Sequence, residues 1–483
     1  VKRIAWAAIV AVVVAAATSQ ATAQNAPAEL TFMPESGIVG TRVTARATGL
    51  VPDTHVDLIW KSGDPHWNVH DGRFFGIAAT PTAHVIAEGT SDAHGSLTLN
   101  FLVPEDFGYL HDVELRAAGD ALAAPPAAAQ GFTVVPHLTL ATHAGRSGAP
   151  IVVTVTGLGY RFYEVVWHLI YDGAQTGWLS AVTTHGTAHV TIPATGAVGV
   201  HTLQAVEGAA APYLNGEQAP NAQAAIPQTI GDTYRILPGP AQHVPSPRAQ
   251  VPPREVPPLP PATHDSALTT DFASGPVGAP IVVRGERFPP NTAVALRWET
   301  LVGNRLSGNG WTTQEHAIGQ AIVRDDGTFV VRVRTPDDLG GAHRLIARTA
   351  DVTATATYTI VPSVDPIVPQ IVRPGDTITL HLHGVGWSET SNSYTTVIDN
   401  GTIGYECGFN SGGDVIVRLR APGPAGAHFV DLYPTIYRGE ILGPGSPPSG
   451  SQFNGTYFLL PMLNAIDHPG ESLPAYHLRF DVR

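Results

Sequence analysis

The residues best equipped for chemistry crowd the last quarter of the chain. Tyr394, Asp399 and Asn400 fall in one stretch, Tyr405, Cys407 and Asn410 in the next, then Asp431, Tyr433 and Tyr437, and finally His468. Aromatic faces beside carboxylate and amide groups can stack on a sugar ring or peptide and fix it by hydrogen bonds. These ten residues are therefore the candidate ligand-binding set. The same side chains could instead edge and close a β-structure. A rival reading makes Asp399, Cys407, Asp431 and His468 the centre of a hydrolase or metal-dependent enzyme, which requires them to line one pocket.

Elsewhere chemistry is sparse. The sequence lacks a G-x-S-x-G elbow, an H-E-x-x-H helix, a phosphate loop and a dinucleotide fingerprint. Asp325-Asp326-Gly327 has the look of a turn rather than a calcium loop, since the rest of an EF-hand spacing is missing. His381 and His383 stand two apart, so a strand would put them on one face, where they could hold a metal. The plainer reading is a pair of polar residues facing solvent, so no metal, cofactor or catalytic residue is expected.

The elements that must position these residues repeat. Ser36-Gly37-Ile38-Val39-Gly40-Thr41 leads into the alternating run Val43 to Ala47 and ends at Gly49. The same sentence is spelled by Gly148-Ala149-Pro150 to Gly157, Gly278-Ala279-Pro280 to Gly285, and Gly375-Asp376-Thr377 to Gly384. Each copy continues with a second strand: Val56 to Trp60, Val165 to Leu169, Val294 to Trp298, and Thr395 to Ile398. A turn and a strand running towards a proline follow, then a glycine-led last strand carrying His111, His201, His343 or His428. Period-two strands cut by turns about every ten residues, in units of about 100, predict an all-β chain of tandem immunoglobulin-like sandwiches. Trp60, Trp167 and Trp298 are expected between the sheets, and the recurrent histidines are expected to pack or to cap turns.

Composition agrees. There are 50 Gly and 42 Pro in 483 residues, only 14% charged residues, and a formal charge of −13. So acidic a chain is repelled by nucleic acid. The single cysteine, Cys407, excludes an internal disulfide.

The repeat resembles the IPT/TIG-type and related bacterial immunoglobulin-like repeats, with the aromatic after the first strand present as Tyr160, Phe288 and Trp387 and replaced by Leu50 in the first copy. The resemblance implies the fold, and an adhesive, spacer or carbohydrate-associated role. Residues 1–23 resemble a signal peptide: a basic head at Lys2-Arg3, an apolar run from Ile4 to Ala17, and a small-x-small end at Ala21-Thr22-Ala23. No later run is long enough to span a membrane.

The expected modules are 28–136, 137–237, 266–362 and 363–483, the last with a C-terminal extension. A proline-rich linker, 238–265, divides them, and residues 238–261 hold ten prolines. At roughly 3.1 Å per residue in polyproline form, it is expected to keep two rigid halves several tens of ångströms apart. The stretch from about Glu207 to Thr233 has no strand pattern and is expected to be a surface loop. The resulting expectation is a secreted, non-enzymatic binding or surface-architecture protein whose partner is a polysaccharide or a surface protein.

Overall fold

The computed structural model describes residues 27–70, 72–119, 125–161, 164–208, 211–215, 226–243, 246, 265–303, 311–437, 459–470 and 473–483. The signal-like segment 1–23 and most of the stretch 238–265 lie outside the described residues, as does the side chain of Tyr437.

The first sandwich shows how the repeat folds. Its strands are β1 (Glu29–Met33), β2 (Ser36–Gly37), β3 (Arg42–Thr48), β4 (His55–His70), β5 (Arg73–Thr90), β6 (Leu97–Leu102), β7 (Tyr109–Ala117) and β8 (Ala128–Val134). One sheet runs β1-β3-β6 and the other β2-β8-β7-β4-β5. All pairings are antiparallel except β2 against β8. The short N-terminal strand that switches sheets to lie parallel to the last one is the immunoglobulin-like pattern.

Alternation does the sorting. In β3, Val43, Ala45 and Ala47 are buried between the sheets while Arg42, Arg46 and Thr48 face out. Trp60 fills the centre against Phe101, Phe132 and His111. Trp60, Trp167 and Trp298 are each fully buried. Each is worth about 4–6 kcal/mol by area, as an upper bound.

Three further sandwiches repeat this plan, each with a three-stranded sheet facing a larger one. They are not four equal copies. In the first and third, a long hairpin follows the second core strand: β4–β5, and Ala293–Gly303 with Trp311–Ile322. In the second and fourth, that hairpin closes with two residues, Asp172-Gly173 and Asp399-Asn400, all at positive φ. Two successive positive φ values make the type I′ turn that suits the twist of paired strands.

The pairs also share their joints. Gly108 donates its N–H to Leu158 O (3.1 Å) between sandwiches 1 and 2, and Gly340 donates to Val385 O (3.1 Å) between 3 and 4. Leu158 N in turn bonds Gly186 O, and Val385 N bonds Gly413 O. The architecture is a duplicated two-sandwich unit.

The two pairs are not held apart. Val397, Tyr433, Leu463 and Ala475 of sandwich 4 share one apolar core with Trp167, Leu169, Ile151 and their neighbours in sandwich 2. The strand Leu459–Pro461 pairs with Gly426–Tyr437, and the chain just after it reaches Trp178, where Leu463 N bonds Trp178 O (3.0 Å). The β4–β5 arm lies across the same seam, its Trp67 and Phe74 packed with Val165, Trp178, Ile436 and Met462. The expectation of a spacer between separated halves is therefore corrected: apolar area along the edges of sandwiches 2 and 4 is buried by bringing them together. Even the described part of the proline-rich stretch is tied down, since Ala241 O accepts from Arg479 and Ser246 Oγ from His477 N. The surface-loop expectation for 207–233 is corrected at its end, where Thr229–Leu237 is a strand beside Gly199–Glu207. Its pattern escaped notice because its buried positions begin only at Tyr234 and Ile236.

Candidate functional site

The candidate residues of sandwich 4 divide into a buried set and an exposed set. Asp399 serves the fold. Its Oδ1 accepts from Phe429 N (3.0 Å) and its Oδ2 pairs with His428 Nδ1 (2.6 Å), while the other ring nitrogen meets Pro424 O. The Asp399 hydrogen bond raises the His428 pKa, against partial burial. Sandwich 2 builds the same clamp from Asp172, Thr202 N and His201, with Ala197 O behind the ring. In sandwiches 1 and 3 the two ring nitrogens of the last-strand histidine each face a carbonyl instead: Lys61 and Phe107 O for His111, Glu299 and Leu339 O for His343. Of the two expected roles, packing or capping a turn, His201 and His428 brace a two-residue turn, while His111 and His343 pack on Trp60 and Trp298.

Asn400 joins sandwich 4 to sandwich 2. Its Nδ2 donates to Pro193 O (2.8 Å) and Thr195 Oγ1 (3.0 Å), and its own carbonyl accepts from Thr176 Oγ1 (2.7 Å). Tyr394 is inside the fourth core against Tyr476, and burial pushes its phenol far up. Asp431 and Tyr433 lie on the opposite face of the same sheet, fully buried beneath sandwich 2. Asp431 Oδ1 accepts from His477 Nδ1 at 2.8 Å, burial raises its carboxyl pKa, and the imidazole opposes that rise. These side chains line seams and cores, with no open face for a sugar.

Tyr405, Cys407 and Asn410 are exposed along the edge strand Gly401–Cys407 and the turn that follows. Between the first two, Glu406 turns inward. Burial pushes its pKa up to about 8 although Thr396 Oγ1 donates to it (3.0 and 3.1 Å). His468 is partly exposed beside Asp467. The four residues of the hydrolase reading have separate engagements: Asp399 with His428, Asp431 with His477, Cys407 on the outer edge, and His468 at the seam.

A heavily bonded carboxylate lies outside the sequence-derived set. Asp467, fully buried, accepts from Trp67 Nε1 (2.9 Å) of the arm and from Thr183 N, Thr183 Oγ1 and Val182 N (2.7–2.9 Å) of sandwich 2. Three sandwiches meet at one side chain. Beside it, Asn464 Nδ2 donates to Ser180 O (2.8 Å). Asp467 stands in an Asp-His-Pro-Gly run, and nothing local to that run names partners hundreds of residues away.

Among the described residues, two open features adjoin sandwich 4. A cleft of about 630 Å³ lies where the 3–4 joint meets the last strand, lined by His243, Pro276, Pro362, Ile367, Tyr476 and Arg479. On the outer face of the small sheet of sandwich 4, the rings of His381 and His383 lie 3.9 Å apart, tilted by 46°, between Asp365 and Asp414.

No family model matches the sequence, and no curated protein does. Solved structures do align with it. An α-2-macroglobulin from Salmonella aligns over 92% of this chain and 30% of its own, at 12% identity and TM-score 0.18. A tetra-tandem repeat from the extending region of a large adhesion protein aligns over 94% of this chain and 100% of its own, at 12% identity and TM-score 0.18. Invasin, a bacterial integrin-binding protein, aligns over 94% and 79%, at 8% identity and TM-score 0.17. This chain thus spans less than a third of the macroglobulin. It is a chain of tandem immunoglobulin-like sandwiches.

Proposed function

We propose that this protein is an exported, non-enzymatic binding or surface-architecture component of the IPT/TIG-like kind, with a polysaccharide or a surface protein as its partner. The observation that carries this reading is where the polar residues of sandwich 4 go. Asn400, Asp431 and Asp467 are fully buried in contacts that lock sandwiches 1, 2 and 4 together, or in the sheet beneath them. A reactive centre needs such groups convergent and reachable; a stiff display surface needs them inside. The exposed edge carrying Tyr405 and Asn410 is the face we assign to ligand. Among the described residues no helix is long and apolar enough to cross a membrane, and the export reading rests on residues 1–23.

The test is a binding screen of the whole chain against polysaccharides and surface proteins, with Tyr405→Ala alongside. Ligand bound and recovered chemically unchanged, with affinity about tenfold lower in the variant, is the expected result. Turnover of a bound glycan or peptide, lost in Asp431→Asn, would overturn it in favour of a hydrolase.

A further inference from the structure

The strand Thr377–His383 ends on the outer face of its sheet with His381 and His383, side by side as period two requires. The fold does not demand them there. The strands that end at the corresponding glycines carry Thr154 and Thr156 in sandwich 2, and Arg46 and Thr48 in sandwich 1.

Each imidazole presents one nitrogen to each of two carboxylates. Towards Asp365 Oδ2 point His383 Nε2 (3.2 Å) and His381 Nδ1 (3.6 Å). Towards Asp414 Oδ1 point His383 Nδ1 (3.4 Å) and, in closer contact, His381 Nε2. While the rings are neutral they own two N–H protons between them, and the four approaches cannot then all be hydrogen bonds. At least two set a nitrogen lone pair against a carboxylate oxygen. His383 Nδ1 shows the deficit: it is buried and, among the described residues, has no hydrogen-bond partner.

A cation removes the conflict. We propose that His381 Nδ1, His383 Nε2 and Asp365 bind one divalent transition-metal ion, for which Zn²⁺ is the natural probe. Asp414 then stands behind both rings and receives the N–H of each. Metal-bound histidines commonly donate their second nitrogen to a carboxylate, which fixes the tautomer and makes the ligating nitrogen more basic. The separations agree, because bonds of about 2.0–2.1 Å in a tetrahedral site place ligand atoms roughly 3.3–3.4 Å apart. Two imidazoles and a carboxylate suit zinc, cobalt, nickel or iron rather than calcium or magnesium. Binding shifts the His383 proton from Nε2 to Nδ1, so that its buried nitrogen gains a partner. Asp365 and the rings remain open to solvent, with side chains 57%, 34% and 20% exposed, so an ion can enter and a fourth position stays free. Asp337, from the loop of sandwich 3, approaches His383 and Asp414 from the far side. The site therefore sits on the 3–4 joint.

The experiment titrates the full chain with Zn²⁺ by calorimetry and with Co²⁺ by visible absorption. The expected results are one equivalent more in the parent than in His381→Ala/His383→Ala, loss of the cobalt bands in Asp365→Asn, and the same bands with about 10–100-fold weaker affinity in Asp414→Asn. Equal stoichiometry in parent and double variant overturns the site. Cobalt bands kept in Asp365→Asn but lost in Asp414→Asn overturn the ligand assignment. Circular dichroism of the metal-free variants confirms that all remain folded, and Asp365→Asn, changed at an exposed residue, keeps the test decisive if the double variant does not.

Discussion

Glu406 faces Tyr394 across the last hairpin of sandwich 4, where a carboxylate is out of place. With its pKa raised by burial to about 8, the folded chain holds a proton that the unfolded chain releases near pH 4.5. Between those values the unfolded state binds fewer protons, so stability falls as pH rises through the window and levels off above it. Glu406→Gln removes that slope. The variant should melt with the parent near pH 4.5 and several degrees above it at pH 8.5, where the parent has lost the stability that the buried proton supplied. Thermal melts across pH check it, and a gap that does not change with pH would sink the burial account. At this scale the sequence was half legible. The buried tryptophans and the four packed or turn-bracing histidines follow from spacing alone. Tyr394, Asn400, Asp431 and Tyr433 stand out in the sequence for their polarity, yet polarity does not say which side of a sheet another sandwich will cover. The Asp172 and Asp399 clamps could have been read, because each pairs a two-residue turn with a Gly-x-His strand.

At the scale of elements, the two joints are set by glycines at close approach. A Cβ on Gly108 would lie 1.8 Å from Gly157 O, and one on Gly340 would lie 2.0 Å from Gly384 O. Backbone cannot yield as a side-chain tip can, so the joint itself must open. Gly340→Ala should lose about 1–3 kcal/mol, the usual range for overpacking. Gly404→Ala, at a position with open space around it, should stay within about 0.5 kcal/mol. Urea unfolding of the two variants makes the comparison, and equal midpoints would mean that the joint is compliant. The strands were readable from alternation and glycine. The long β4–β5 arm was not: its outer half, Asp64 to Ala79, has neither a steady period nor a core of its own, and it is ordered by Trp67 and Phe74 reaching other sandwiches.

The whole molecule is joined in a way the chain order does not follow: sandwich 4 packs against sandwich 2, meets the arm of sandwich 1 and adjoins sandwich 3. Repeats announce how many units there are, but contacts between units come from single side chains such as Asp467, whose partners carry no shared motif. A protease site introduced among residues 250–260 and then cut should leave the two fragments eluting together as one particle of the parent's size, separating only in denaturant. Two smaller species in size exclusion would refute the clasp. Burial of Val397, Tyr433 and Leu463 in the sandwich 2 core is the basis for that expectation.

The arm of sandwich 1 touches sandwich 4 directly: Phe74 N donates to Glu389, whose own N–H returns to Gly72 O, while Trp67 holds Asp467. A tensile load hung between residues 27 and 483 would run through that contact, in at sandwich 1 and out at sandwich 4. Sandwich 3 would stand beside the load path until that contact and the shared core of sandwiches 2 and 4 had both torn, and only then would the chain lengthen.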